Sequence, residues 1–144
     1  MENCTVEFTP MTPCREAVKG VNDRVEIPCV CRYCGGLVEV AHHCAIYGRV
    51  AGSWPWVYAC NDCDAYVGMH PLTNLPLGTL ANKELRTLRV QAKNAFTRAW
   101  QVQGMTRTGG YRWLAAQLGI AKSKCHIGWS DESQCERIIK ICGR

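Results

Sequence analysis

Two pairs of cysteines are the residues of this chain whose type and spacing predict chemistry most directly. Cys31 and Cys34 are separated by two residues, Cys60 and Cys63 repeat that spacing, and 25 residues lie between the pairs. Two thiolates on one tight turn can bind one side of a metal ion, and a second such turn completes the tetrahedron that Zn²⁺ adopts in structural sites. The spacing therefore predicts one structural zinc ion, whose four protein ligands leave no coordination position for a substrate.

The number of cysteines argues against a chain held together by disulfides. There are 11 of them, an odd number, so they cannot all pair within the chain. The N-terminal residues lack the features of a secretory signal, and no stretch approaches the roughly 20 apolar residues of a membrane span. We therefore expect a reducing cytosol and no membrane partner, and in cytosol such cysteine pairs more often bind metal than form disulfides. A thioredoxin-like redox motif is a third reading, but it would be single and set in a βαβ pattern.

Charge is distributed unevenly along the chain. It has 17 Lys and Arg against 12 Asp and Glu, yet the stretch from Lys83 to Lys124 contains nine basic residues and one acid, Glu84. This stretch has a net charge of +8 and the remainder has −3. A phosphate-bearing partner would relieve the self-repulsion of such a region, whereas the alternative is a basic surface that serves solubility. The residues predicted to bind nucleic acid are Arg86, Arg89, Lys93, Arg107, Arg112, Lys122 and Lys124.

The first half of the chain has the pattern of a β-hairpin between two metal turns. Prolines and glycine break residues 1–28 into turns, with a short strand predicted at 25–27. Residues 37–47 have a strand-like pattern and residues 48–53 read as a turn. Residues 54–59 form the returning strand that leads to Cys60. Three aromatic side chains share one side of that strand, where they either stack on bases or, as we favour, cover the small core of the hairpin: Trp54, Trp56 and Tyr58.

The second half is predicted to be helical. Residues 82–101 have apolar side chains at helical spacing, with Asn82 as N-cap, Trp100 as a core anchor and Gly104 beyond the end. Arg86, Arg89 and Lys93 are predicted on the exposed side of this helix. A terminal helix capped by Ser130 is predicted to bury an apolar stripe of Cys135, Ile138, Ile139 and Cys142.

Residues 109–120 carry part of a helix-turn-helix pattern. An apolar residue lies on each side of Gly119, and residues 121–126 would open the recognition helix. Gly128 then fits a turn or short strand better than a helix, so the motif is the weaker interpretation.

Together these patterns predict an α+β protein. A zinc-ribbon β-hairpin is packed with, or followed by, a three-helix α region. The expected segments are an irregular N-terminal stretch at 1–28, a zinc-ribbon module at 29–72 and a basic helical region at 73–144.

Other groups could form a site, but no recognised motif joins them. A second zinc ion bound by Cys125, His126, Cys135 and His70 would match no common ligand spacing. Asp64, His70 and His126 could converge as acid and base groups. The chain has no zinc-deaminase signature, no phosphate-binding glycine loop and no nucleophile elbow, so a role other than catalysis is favoured.

Several segments together resemble a family of small phage and prophage zinc-finger-containing proteins. They lie in the family's order across about residues 29–142: Cys60-Asn-Asp-Cys63-Asp-Ala-Tyr-Val-Gly-Met-His70, Pro76-Leu-Gly-Thr-Leu-Ala, Glu84-Leu-Arg-Thr-Leu-Arg, Tyr111-Arg-Trp-Leu-Ala and Cys125-His-Ile-Gly. The resemblance implies a bacteriophage origin, a bacterial host cytoplasm and zinc ligands at Cys31, Cys34, Cys60 and Cys63. It implies no particular activity.

Three functions are compatible with these observations. The first is nucleic-acid binding through the basic helical region, with a structural zinc ion. The second is a phage effector or adaptor that binds and modulates a host protein, and the third is an enzyme acting on nucleic acid. Salt-dependent binding to DNA or RNA separates the first from the second.

Overall fold

The chain folds into two compact units in a computed structural model that describes residues 7–48 and 53–143, apart from the side chain of Tyr47. One unit ends at Leu80 and the other begins at Ala81, whereas the sequence placed the corresponding boundary after residue 72. The architecture is α+β, as predicted. No helix within the described ranges is both long enough and apolar enough to cross a membrane.

The first unit contains a three-stranded antiparallel sheet. Its strands are β1 (Val38–His42), β2 (Trp56–Cys60) and β3 (Tyr66–Gly68), in the order β1-β2-β3. The β1–β2 hairpin is the one that the sequence predicts, and its register places Val38 opposite Cys60. β3 was not predicted, because three residues are too few to show an alternating pattern.

The predicted strand at residues 37–47 is half wrong. β1 ends at His42, and residues His43–Tyr47 form a short helix, α2. His42 is the N-cap, since its Nδ1 accepts a hydrogen bond from the Cys44 N–H (3.2 Å), and Gly48 ends the helix with a φ of 70°. Only one β-branched residue, Ile46, follows Val40 in this stretch, so little in the sequence holds it extended.

The N-terminal part of this unit is mostly irregular. It contains one short helix, α1 (Arg15–Lys19). The strand predicted at 25–27 does not form, and residues 24–29 belong to no helix or strand. Much of the predicted turn at 48–53 lies outside the described residues.

The aromatic row on β2 belongs to the core of the first unit. Trp54 Nε1 donates a hydrogen bond to the carbonyl oxygen of Thr73 (3.1 Å), and the Tyr58 hydroxyl donates to the carbonyl oxygen of Asn74. Tyr58 is buried, and Trp54 and Trp56 pack against the same cluster. These side chains cover the hairpin and hold the loop that follows β3, which is the arrangement that the sequence favours.

The second unit is helical. Its helices are α3 (Lys83–Val102), α4 (Arg107–Leu118) and α5 (Glu132–Cys142). They enclose a core that includes Leu85, Phe96, Leu114, Cys135 and Ile138. Asn82 caps α3 as predicted, since its Oδ1 accepts from the Leu85 N–H (3.0 Å). With α1 and α2, the described residues contain five α-helices, where the sequence predicts three.

The helix-turn-helix prediction is wrong. α4 ends at Gly119 (φ 71°) as the motif requires, but the recognition helix is missing. Two single 3₁₀ turns, Lys122–Lys124 and Ile127–Trp129, occupy its place. Gly128 and the short polar run before it do not sustain a longer helix.

The cap of the terminal helix is displaced by one residue. Asp131, and not Ser130, is the N-cap of α5, where it forms a capping box with Gln134. The Asp131 Oδ1 accepts from the Gln134 N–H (2.8 Å), and the Gln134 Oε1 accepts from the Asp131 N–H (3.2 Å). The two reciprocal hydrogen bonds pair two backbone N–H groups at the start of the helix, whereas one serine hydroxyl would pair a single N–H.

Candidate metal centre

A tight turn after the first cysteine pair aims two thiols in one direction. The Cys31 N–H donates to the Gly36 carbonyl oxygen (2.8 Å), and the Gly35 N–H donates to the Cys31 carbonyl oxygen (2.9 Å). Gly35 has a φ of 75°, a conformation that costs glycine nothing and other residues about 1 kcal/mol or more. The sequence Cys-x-x-Cys-Gly-Gly therefore encodes the turn itself.

The second pair lies at the same end of the sheet. β2 ends at Cys60, whose N–H donates to the Ala65 carbonyl oxygen (2.9 Å) and closes a turn around Cys63. The next amide, Asn61 N–H, donates to the Leu37 carbonyl oxygen (2.9 Å). That bond ties the second turn to the start of β1, so the hairpin register brings the two pairs together.

The four sulfur atoms have the spacing of a tetrahedral zinc site. All four Sγ atoms lie within 4.8 Å of one another. The distance between the Sγ atoms of Cys31 and Cys63 is 3.6 Å, and the distance between those of Cys34 and Cys60 is 3.4 Å. A Zn–S bond of about 2.3 Å places the corners of a tetrahedron about 3.8 Å apart. The donors thus fit one zinc ion with little rearrangement.

Backbone amides surround the sulfur cluster with positive partial charge. The Tyr33 N–H donates to Cys31 Sγ (3.4 Å), and the Asp62 N–H donates to Cys60 Sγ (3.3 Å). Each amide belongs to the residue two positions after its cysteine, so the two turns repeat one geometry. Such outer contacts orient thiolates and stabilise their charge. Sequence reasoning missed them, because they depend on backbone direction and not on side-chain type.

The ionisation of the thiols also fits a bound cation. Burial raises the pKa of Cys31, but hydrogen bonds from the backbone of Cys34 and Tyr33 and from neighbouring thiols bring it down to about 7. A backbone hydrogen bond from Ala65 lowers the pKa of Cys63, yet burial and the three other thiols raise it to about 12. Four negative charges cannot share this volume alone, and a divalent cation removes that conflict.

Gly36 is required by the close approach of the two turns. A Cβ atom at this position would collide with the Asp62 side chain and would lie 3.0 Å from Cys60 Sγ. Any larger residue therefore requires the Asp62 side chain or the Cys60 sulfur to shift. The glycine pair after Cys34 serves two purposes: Gly35 supplies the positive φ and Gly36 supplies the space.

The site is closed and its role is structural. Four cysteine ligands fill the tetrahedron, so no position remains for water or substrate. Cys31 and Cys60 are 3% and 7% exposed and belong to the core of the first unit. Metal binding is therefore coupled to the packing of the sheet. The protein contains one structural zinc ion at Cys31, Cys34, Cys60 and Cys63.

Within residues 7–48 and 53–143, no other group of three or more His, Cys, Asp or Glu side chains is close enough to hold a metal ion. Cys125 and Cys135 are buried core residues of the second unit, and burial raises the pKa of both thiols. The proposed second zinc centre and the proposed acid–base cluster therefore gain no support.

The predicted nucleic-acid-binding residues fall into two groups. Arg86 and Arg89 are half-buried: an Arg86 guanidinium nitrogen donates to the Ala81 carbonyl oxygen (2.7 Å), and the Arg89 Nε donates to the Ser130 carbonyl oxygen (3.0 Å). Their predicted position on the exposed side of α3 is wrong, because both flank its buried face. The other five carry exposed side chains: Lys93, Arg107, Arg112, Lys122 and Lys124.

Comparison with known proteins identifies the family. No curated protein and no solved structure matches the chain. A family model described as a zinc-finger-containing domain matches residues 27–144. This range includes the four cysteines, the sheet and all three helices of the second unit. Because the match extends over most of the sequence, the chain belongs to this family of proteins with a zinc-finger-containing domain.

Proposed function

We propose that the protein binds nucleic acid through exposed cations of its second unit, while the zinc ion stabilises the first. The observation that carries this proposal is the division of charge between the units. From Ala81 onward the sequence has twelve basic and four acidic residues, a net charge of +8; before it there are five basic and eight acidic residues, a net charge of −3. A phosphate backbone is the common biological ligand for such a concentration of positive charge.

Exposure supports the proposal for most of the basic residues. Lys93 and Arg98 are exposed on α3, and Arg112 is exposed on α4. Lys122 and Lys124 are exposed on the 3₁₀ turn that replaces a recognition helix. Phosphate contacts from flexible exposed cations position a protein on nucleic acid but do not read its sequence. We therefore propose binding with little base-sequence specificity.

The test is a titration against DNA and RNA at two salt concentrations. Each phosphate contact contributes about 0.9 to the slope of log affinity against log salt on duplex DNA, so several contacts give a steep slope. The variant Lys93→Glu with Lys124→Glu should weaken binding to every sequence by a similar factor and reduce the slope. Arg86 and Arg89 are unsuitable for this test because both donate to backbone carbonyls of the fold.

A matched control separates local contacts from total charge. Arg15→Glu with Lys19→Glu changes the net charge by the same amount at two exposed residues of α1 in the first unit. This control should leave affinity within about twofold of the wild type at physiological salt, because it changes none of the proposed phosphate contacts and salt weakens the long-range effect of net charge. Equal losses in both variants would reduce the proposal to a general effect of net charge.

Binding to a host protein is the outcome that would replace this proposal. If neither polymer binds at low salt while fold and zinc are intact, the basic surface has another partner. A phage effector or adaptor is then the remaining proposal, since the resemblance to phage and prophage proteins supports a bacteriophage origin and a location in the host bacterial cytoplasm.

A further inference from the structure

The second unit has an open groove lined by the ends of α3 and α5 and by one side of α4. Its volume is about 490 Å³, within the range of about 300–1,000 Å³ that is typical of ligand sites. Trp113 of α4 lines it and packs on the core behind it. Val102 of α3 and Ile141 of α5 also line it, and Val102 is 81% exposed. An aromatic ring backed by the core, inside a cleft, suits a flat ligand.

The polar groups of the groove suit the edges of a nucleobase. Gln117 lines the groove with an exposed amide that can both donate and accept hydrogen bonds, and Gln103 lines it with an amide whose Nε2 donates to the Ala99 carbonyl oxygen (3.1 Å). The groove lies where α3 and α5 end, and the side-chain oxygens of the two glutamines can accept hydrogen bonds there. Exocyclic amino groups of bases are matching donors.

The charge of the groove suits a polyanion. Arg98 is the one charged residue that lines the groove in the described part of the chain. Lys140 and Arg112 are exposed, and they precede two lining residues, Ile141 and Trp113, in the sequence. No acidic side chain lines the groove within that same part of the chain. A cation in the groove, no acid among these lining residues and the net charge of +8 from Ala81 onward together favour a polyanionic ligand.

We propose that this groove binds an unpaired nucleobase of a single-stranded nucleic acid, with the base stacked on Trp113. The inference rests on the proposed function and names its substrate class. A base within a duplex is stacked on both faces and cannot enter a cleft, whereas a base of a single strand is free to stack on an aromatic side chain. The protein then binds single strands more tightly than duplexes of the same length.

The test measures affinity for labelled oligothymidylate, oligouridylate and a DNA duplex of the same length. Trp113→Leu keeps an apolar side chain but removes the stacking surface. It should lower the affinity for both single strands by at least about fivefold, the lower limit for loss of one base–aromatic stack. The duplex affinity and the salt slope should stay unchanged, because stacking releases no counterions. Trp113→Tyr should retain most of the single-strand preference.

A second variant makes the test independent of the packing of Trp113. Val102→Glu places an acid in the groove, and Val90→Glu is its matched control, since Val90 is an exposed valine of α3 (58% exposed) that does not line the groove. Loss of the single-strand preference in Val102→Glu but not in Val90→Glu supports the proposal. This comparison tests the base site even if Trp113→Leu fails to fold.

Two kinds of result overturn the inference: one rules out the base site alone, and the other rules out nucleic-acid binding as well. Salt-dependent binding with equal affinity for single strands and duplex, or a preference that survives both groove variants, removes the base site but leaves nucleic-acid binding intact. Absence of salt-dependent binding to all three polymers removes the proposed function and the base site with it.

Discussion

At the scale of single residues, the zinc centre depends on small contacts as much as on its four ligands. Gly36 leaves the space into which Asp62 and Cys60 Sγ fit, and the amides of Tyr33 and Asp62 donate to two of the sulfur atoms. A side chain at position 36 displaces the Asp62 side chain or the Cys60 sulfur, and it does so without removing a ligand. Gly36 is therefore the residue at which the geometry of the site can be tested apart from its chemistry.

Gly36→Ala should weaken zinc retention while the stoichiometry of the fully loaded protein stays at about one ion, since all four ligands remain. The new Cβ must displace Asp62 or Cys60 Sγ, so we expect faster zinc release to a chelator and a lower unfolding temperature. Cys60→Ser is the comparison, because it removes a ligand and should lose zinc altogether.

Elemental analysis and the rate of zinc transfer to a chromogenic chelator measure both effects. Wild-type release kinetics in Gly36→Ala would contradict the steric argument, and a Cys60→Ser protein that kept its zinc and its melting temperature would contradict the ligand assignment.

At the scale of elements, the sequence predicted the long periodic helix and the zinc site well, and it predicted short helices and strands poorly. α3 has 20 residues, a clear apolar face and a capping asparagine, so several independent signals agreed on it. β3 has three residues and α2 has five, too few for any period to emerge. The positions of Arg86 and Arg89 were wrong for a different reason. Long side chains at the border of an apolar face can turn inward to backbone carbonyls, and periodicity cannot distinguish that from exposure.

The packing of α3 against α4 leads to a prediction about the stability of the second unit. Trp100 is half-buried against the core of the second unit, and it lies so close to Gly110 that a Cβ there would be 2.8 Å from the Trp100 Cβ. Trp100→Ala should lower the free energy of unfolding by about 2 kcal/mol, less than the 3–5 kcal/mol of a fully buried tryptophan.

Denaturant unfolding measures the loss, and Val90→Ala, a change at an exposed position of the same helix, should shift stability by less than about 0.5 kcal/mol. Unchanged stability in Trp100→Ala together with lost ligand binding would make Trp100 a contact residue and not a core anchor.

At the scale of the whole molecule, the zinc centre and the cationic surface belong to different units. All four zinc ligands precede Leu80, and the core of the second unit consists of residues from Ala81 onward. The family match, over residues 27–144, covers the zinc ligands and the second unit. From cysteine spacing, hydrophobic periodicity and charge the sequence predicts a zinc-ribbon module at 29–72 and a basic helical region at 73–144. It could not predict the groove beside Trp113, because that cleft depends on how three helices pack.

The division leads to a prediction about zinc removal. Chelation should unfold the first unit, since metal binding supplies part of its folding free energy and Cys31 and Cys60 lie in its core. The helices of the second unit should persist, because their core contains none of the zinc ligands. We expect far-UV circular dichroism to retain the helical signal while the fluorescence of Trp54 and Trp56 shifts toward that of exposed indole. Affinity for nucleic acid should change by less than about twofold, because the proposed phosphate contacts are those of cations in the second unit. Zinc reloading should restore the fluorescence.

Loss of the helical signal on chelation would show that the two units fold as one cooperative structure, and loss of binding with the helices intact would place part of the nucleic-acid surface on the zinc-binding unit.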